Sequence, residues 1–211
     1  SVLGFGGLLY GTSSISHDGW NDPIVLTTII GGVILVALFI WRQSKLETPL
    51  LNFGVFKNTQ FAIGILIMAV TMVSMIGSET VLPMFVQNLL NRTPLDSGLI
   101  LLPGAIVMAI MSFTSGGLYE KFGAKPLALI GMMIVIITTG YFVIMDENTS
   151  SVMLATVYGI RMIGIALGLM PVMTHTMNQL TYEMNAHGSS MTNTVQQIAG
   201  SIGTAILITI L

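Results

Sequence analysis

The sequence predicts an all-α integral membrane protein. Three observations carry that class. Of 211 residues, 53% are hydrophobic and the mean hydropathy is +0.87. Only 8% are charged, against roughly 25% in a soluble domain. The apolar residues come in runs near 20 long without the alternation of a membrane β-barrel. A water-soluble enzyme so poor in charge could not cover its surface. Nucleic-acid binding needs a basic stripe, and the net charge is −2. With no Cys there is no disulfide framework and no Cys-based metal site. The 23 Gly and 16 Met suit helices that pack closely and adapt in lipid.

The spans follow in order. A remnant ends near Thr12, inside an apolar stretch with no basic region ahead of it, so it is not a signal peptide. The first whole span is about Ile24 to Trp41, with Trp20 and Trp41 where an aromatic belt would sit. Next come about Phe61 to Leu90, Ser97 to Leu118, Leu127 to Met145, Val152 to Met173, and a last span from Ser190 to the end. That makes six spans plus a partial one. The chain begins without Met and ends within an apolar run, so it reads as an internal fragment of a longer membrane protein. Thr93-Pro94-Leu95-Asp96 has the residues of a capped helix start, and Ser150 can cap the helix after the polar turn at 146–150.

Charge sets the orientation. Loops 42–60, 119–126 and 174–189 hold Arg42, Lys45, Lys57, Lys121 and Lys125. The opposite loops, 13–23, 91–96 and 146–151, hold Arg92 as their basic residue, beside Asp18, Asp22, Asp96, Asp146 and Glu147. The positive-inside rule makes the first set cytoplasmic.

Glu79 and Arg161 fall inside spans. An ionisable residue at membrane depth costs about 2.5–3.5 kcal/mol on insertion scales and is a functional candidate by default. Counted from the same side, Glu79 lies about 18 Å deep and Arg161 about 15 Å, so the two are expected to pair across a polar cavity. Glu79 would carry a proton, held or released according to whether the pair is made. The alternative is a fixed structural ion pair. Pro83 lacks an N–H and frees the carbonyl of Glu79, marking a hinge candidate. Pro103 and Pro171 do the same to Leu99 and Leu167. Met72, Met75 and Phe85 lie near Glu79 in sequence and could line an adaptable apolar pocket, although most Met are read as lipid-facing. Asn193, Gln196 and Gln197 carry amides into the last span. They could bind substrate, or more simply bond neighbouring helices. His175 and His187 read as solvated loop residues without metal spacing. The sequons at Asn91 and Asn148 are taken as chance matches.

Residues Gly116-Gly117-Leu118-Tyr119-Glu120-Lys121-Phe122-Gly123-Ala124-Lys125 read G-x-x-x-[DE]-[KR]-x-G-x-[KR] on a cytoplasmic turn. This resembles the loop motif of the major facilitator superfamily, with Glu120 for the usual Asp and Ala124 at a position usually basic. Physically, Gly123 can take the left-handed conformation of a tight turn, and Glu120 and Lys121 can pair with neighbouring helix ends to latch one conformation. Further stretches resemble the 14-helix drug:proton antiporter branch, and the lincomycin-resistance-like exporters within it. They are Ser97-Gly98 with Leu102-Pro103-Gly104-Ala105, Pro49-Leu50-Leu51 with Phe56, Arg161 with Gly164 and Gly168, and Gln196 with Gly200, Gly203 and Ala205.

The resemblance covers essentially the whole chain. It implies the C-terminal half of a major facilitator fold: residues 1–58 as the end of helix 7, helix 8 and a cytoplasmic linker, and 59–211 as a six-helix half lacking its last helix. It implies proton-coupled efflux of amphipathic drugs across the cell membrane by alternating access, with small-molecule drugs, protons, lipid and the N-terminal half as partners. It also implies that Glu79 and Arg161 stand on the two helices of this half that line the central cavity. No cofactor or metal is expected. An importer of a small polar solute is the alternative. A membrane-embedded enzyme would need an H-E-x-x-H, paired-Asp or Ser/Lys constellation in a span, and none is present.

Overall fold

The structure is a computed structural model that describes residues 22–43, 52–146 and 149–210, with residues 4, 6, 7, 10 and 11 upstream. The end of the remnant span at Thr12, Asp18, Trp20, Lys45, the Pro49-Leu50-Leu51 motif, Glu147 and Asn148 lie outside the described residues. Six helices of 20 residues or more are described: α1 (Pro23–Gln43), α2 (Thr59–Met84), α3 (Pro94–Phe122), α4 (Ala124–Val143), α5 (Ser151–Asn178) and α6 (Tyr182–Ile210). A 3-10 turn (Phe53–Lys57) precedes α2, and a π turn (Phe85–Leu89) extends it. No strand occurs among the described residues. Thr59–Leu89, Pro94–Phe122, Ala124–Val143 and Ser151–Asn178 are long and apolar enough to cross a membrane, and Pro23–Leu38 is a shorter apolar stretch.

The expected loops shrink. Residues 174–189 contain the end of α5 and the start of α6, so the connection is 179–181. In place of 119–126, Gly123 alone separates α3 from α4. The physical reason is common to both. An apolar run ends where lipid ends, but a helix continues into water while its backbone bonds still close. His175 and His187 are accordingly helical, not loop residues.

Helix starts are built as their residues suggest. The Thr93 hydroxyl accepts from the Asp96 N–H (3.2 Å), and the Asp96 carboxylate accepts from the Thr93 N–H (3.1 Å) with Pro94 behind it. The Ser150 hydroxyl accepts from the Met153 N–H at 3.2 Å.

The chain divides into two compact units, residues 1–63 with 179–211, and residues 64–178. In the first, Asn58 works at both ends of its amide. Its oxygen accepts from the N–H groups of Gln60 and Phe61 (3.0 and 3.2 Å), capping α2, and its Nδ2 donates to the Gln179 carbonyl at 3.0 Å. Asn52 caps the 3-10 turn through Gly54 N–H (2.8 Å) and turns its Nδ2 to Met184 Sδ. Asn58→Ala is expected to lower stability by about 1 kcal/mol through the lost cap. Asn58→Asp keeps the cap and loses only the amide donor. Thermal unfolding of the full-length protein in detergent checks the order Asn, Asp, Ala, and an alanine variant that melts with the parent contradicts it.

In the second unit α3 and α4 both pack on α5, which supplies Leu154, Met162, Ile165 and Ala166 to the core, all nearly inaccessible. Close approach comes from glycine. A Cβ on Gly131 of α4 would stand 2.5 Å from the Gly164 carbonyl oxygen and 2.9 Å from the Gly168 nitrogen. The backbones of α4 and α5 therefore touch, as small-xxx-small helices do in membranes. Gly104 of α3 leaves the space that the Tyr158 ring fills. The outer faces are apolar: Phe113 is 90% exposed, and Ile136 and Val143 are also exposed. Such faces suit lipid.

Candidate functional site

Arg161 is 3% exposed and enclosed by neutral acceptors. Its Nη1 donates to the Thr139 hydroxyl at 2.6 Å, the Val135 carbonyl at 3.3 Å and the Thr138 hydroxyl at 3.4 Å, all on α4. Its Nη2 donates to the hydroxyl and carbonyl of Ser74 on α2, at 2.6 and 3.0 Å. The guanidinium lies 5.5 Å from the Phe142 ring centre, within cation–π range. Nε is buried without a partner. A charge buried in lipid must be hydrogen-bonded, and hydroxyls and carbonyls do that here, with no counter-charge bonded to it among the described residues.

The expected pair with Glu79 is not made. Glu79 is exposed, and Arg161 bonds elsewhere. Helix geometry explains it. Ser74 and Glu79 are five positions apart, about 140° around the axis. Ser74 shares its side of α2 with Thr71 and Ser78, both buried, and Glu79 points away from that side. Depth estimates count along the axis and ignore this rotation. Tyr158 is buried against Gly104.

Beyond Glu79 the helix loosens. Pro83 is followed at once by the π turn, where the Leu90 N–H reaches the Phe85 carbonyl and the Arg92 N–H reaches that of Val86, each at 3.2 Å. Asn91 ends it with φ of 50°. A π turn is a local widening that recurs at functional sites. Pro103 and Pro171, by contrast, lie within helices that run on unbroken. Met75 and Phe85 are half-buried on the α2 segment, whereas Gln196 is half-buried on α6, in the other unit.

The motif residues Gly116, Glu120 and Lys121 are the last turns of α3, and Lys125 opens α4. Gly123 has φ 77° and ψ 171°. That is not the left-handed helical region expected from the sequence but its extended mirror, open essentially to glycine alone. A Cβ on Gly116 would meet nothing within 4 Å. Among the described residues Glu120 forms no ion pair, and the Lys121 ammonium sits 5.3 Å over the Phe122 ring. The contact that joins the C-terminal ends of α3 and α5 is one the sequence reading missed. The Tyr119 hydroxyl accepts from Asn178 Nδ2 at 3.4 Å, and its ring lies 6.4 Å from that of His175. Tyr119 occupies a variable place in the motif, and a helical His175 was needed to see it.

Residues 2–204 match the family model described as Major Facilitator Superfamily. The chain is 45% identical over 210 residues to the uncharacterized MFS-type transporter YhcA of Bacillus subtilis, covering all of this chain and 40% of that protein. It is 36% identical over 213 residues to the lincomycin resistance protein LmrB of Bacillus subtilis, again over the whole chain and 44% of that protein. It is 25% identical over 206 residues to the multidrug resistance protein Stp of Mycobacterium tuberculosis, with 98% of this chain and 38% of that one covered. The chain thus spans less than half the length of these curated relatives.

Proposed function

The chain belongs to the major facilitator superfamily, and from that membership we propose that it forms part of a transporter that exports amphipathic drugs in exchange for protons. It is a multi-pass membrane protein, and the cell membrane is its proposed site. In this reading residues 1–58 supply the end of helix 7, helix 8 and a cytoplasmic linker. Residues 59–211 supply the C-terminal half without its last helix. The N-terminal half completes the pathway.

The observation that carries the reading is Glu79. Among the described residues it is the one acid that lies more than a turn from either end of a membrane-length helix, it is exposed within its unit, and no described basic group is bound to it. A carboxyl so placed can exchange a proton with water in a pathway and, when ionised, can attract a cationic drug. Arg161 holds α2 at Ser74, five residues before Glu79, as a positive charge that makes no bond to Glu79. Pro83 and the π turn allow the segment bearing Glu79 to bend. The turn of Gly116, Glu120, Lys121, Gly123 and Lys125 would gate the cytoplasmic side, and Met75 and Gln196 would line the substrate path. Rocking of one half against the other then exposes the site to each side alternately. The names of the relatives LmrB and Stp support drugs as the substrate class.

Bacteria producing the full-length protein are expected to hold several-fold less ethidium than cells without it, and a protonophore is expected to erase the difference. A difference that survives loss of the proton gradient contradicts proton coupling. Equal ethidium in both strains contradicts export of this class.

A further inference from the structure

We propose that Arg161 is a clamp between two helices and that Ser74 is the positioning residue through which it acts on transport. The proposal rests on the transport reading above, but not on Glu79 as the proton carrier.

The guanidinium divides its bonds by helix. Nη1 donates only to α4, and Nη2 donates only to Ser74 of α2. The two arms are not equivalent. On the α4 side, Gly131 meets Gly164 and Gly168 backbone to backbone, so α4 and α5 already form a tight pair. On the α2 side the bonds fall at one place in the helix. Ser74 offers its hydroxyl and its carbonyl, and that carbonyl also accepts from the Ser78 hydroxyl at 3.2 Å. A helix carbonyl drawn into side-chain bonds is a point where a helix can bend.

That point lies about one and a half turns before Glu79. Beyond it come the carbonyl freed by Pro83 and the π turn. Arg161 therefore grips α2 at the near edge of its loosened segment. The grip fixes the helix up to Ser74 against the α4–α5 pair and confines bending to the part that carries Glu79. Without it, bending spreads into the seam of half-buried Ser74 with buried Thr71 and Ser78, and the site no longer turns as a unit.

A clamp needs a fork, whereas a fixed charge needs only a cation. Lysine keeps the charge, but one ammonium does not reproduce the planar, divided donation of arginine. The full-length transporter in proteoliposomes, assayed by ethidium counterflow at equal pH on both sides, measures turnover without net proton movement. Ser74→Ala is expected to lower turnover about tenfold, in line with loss of a hydrogen bond to a charged group, with KM within about twofold. Ser74→Thr, which keeps the hydroxyl, is expected to restore it. Arg161→Lys is expected to fall at least as far as Ser74→Ala, and the double variant no further than Arg161→Lys alone.

Turnover is taken per correctly folded molecule, judged by size exclusion. If Ser74→Ala does not fold, Ser74→Cys carries the same comparison with Ser74→Thr. Parental turnover in Ser74→Ala, or in Arg161→Lys, overturns the clamp. Ethidium export by the parent protein that survives a protonophore, with the counterflow results intact, overturns proton coupling and leaves the clamp standing.

Discussion

Gly131→Leu is expected to leave the full-length protein without a folded α4–α5 pair. The side chain would start 2.5 Å from the Gly164 carbonyl oxygen and 2.9 Å from the Gly168 nitrogen. Both are backbone atoms of a helix, so no rotamer change relieves the contact. The two helices would have to separate. That breaks the packing that drives association in lipid, where no hydrophobic force favours one apolar neighbour over another. Overpacking a core with less commonly costs about 1–3 kcal/mol, and here a whole interface moves. Gly164→Val meets the same obstacle from the other side, 2.8 Å from the Gly131 carbonyl oxygen. Gly116→Ala is the control. It faces open space and, in a helix, should be neutral or gain about 0.5–1 kcal/mol. Size exclusion and thermal unfolding in detergent separate the three. Monodisperse, parent-like Gly131→Leu protein would contradict the account of α4–α5 packing.

Glu79→Gln is expected to abolish uphill drug export while sparing drug-for-drug exchange. The substitution is nearly isosteric but removes the ability to ionise. If Glu79 is where proton and drug compete, the proton gradient then has no handle on the cycle. Cells making the variant should accumulate ethidium like cells without transporter. The exposed position of Glu79 argues that the change does not disturb folding, which the exchange assay verifies. Retention of export in Glu79→Gln would place coupling elsewhere.

Much of the fold was legible because membrane helices are written in composition. Runs of apolar residues located every described helix, and Thr93 with Asp96 marked a start that the structure caps as expected. Ends were less legible, because helices run on into water past their apolar stretch. Residues 182–189 are helical although polar. The site divides in the same way. Glu79 and Arg161 stand out as charges in lipid, and their presence is a signal. Their contacts are not, because depth along a helix is readable from spacing while direction around it depends on neighbours. The hydroxyls of Ser74 and Thr139 look like any others in the sequence. Only the fold brings them to within 2.6 Å of Arg161. Tyr158 is similar. Its place is set by the absence of a side chain at Gly104, more than fifty residues away in sequence. A signal was available at Gly164 and Gly168, one helical turn apart, which is the spacing of close helix contact.

The central claim is that Glu79 takes up the proton that drug displaces. The most direct test measures protons released when ethidium is added to the purified full-length transporter in weakly buffered detergent solution. The account predicts a release with the parent protein and none with Glu79→Gln, which still binds ethidium. Equal release from both proteins would contradict it.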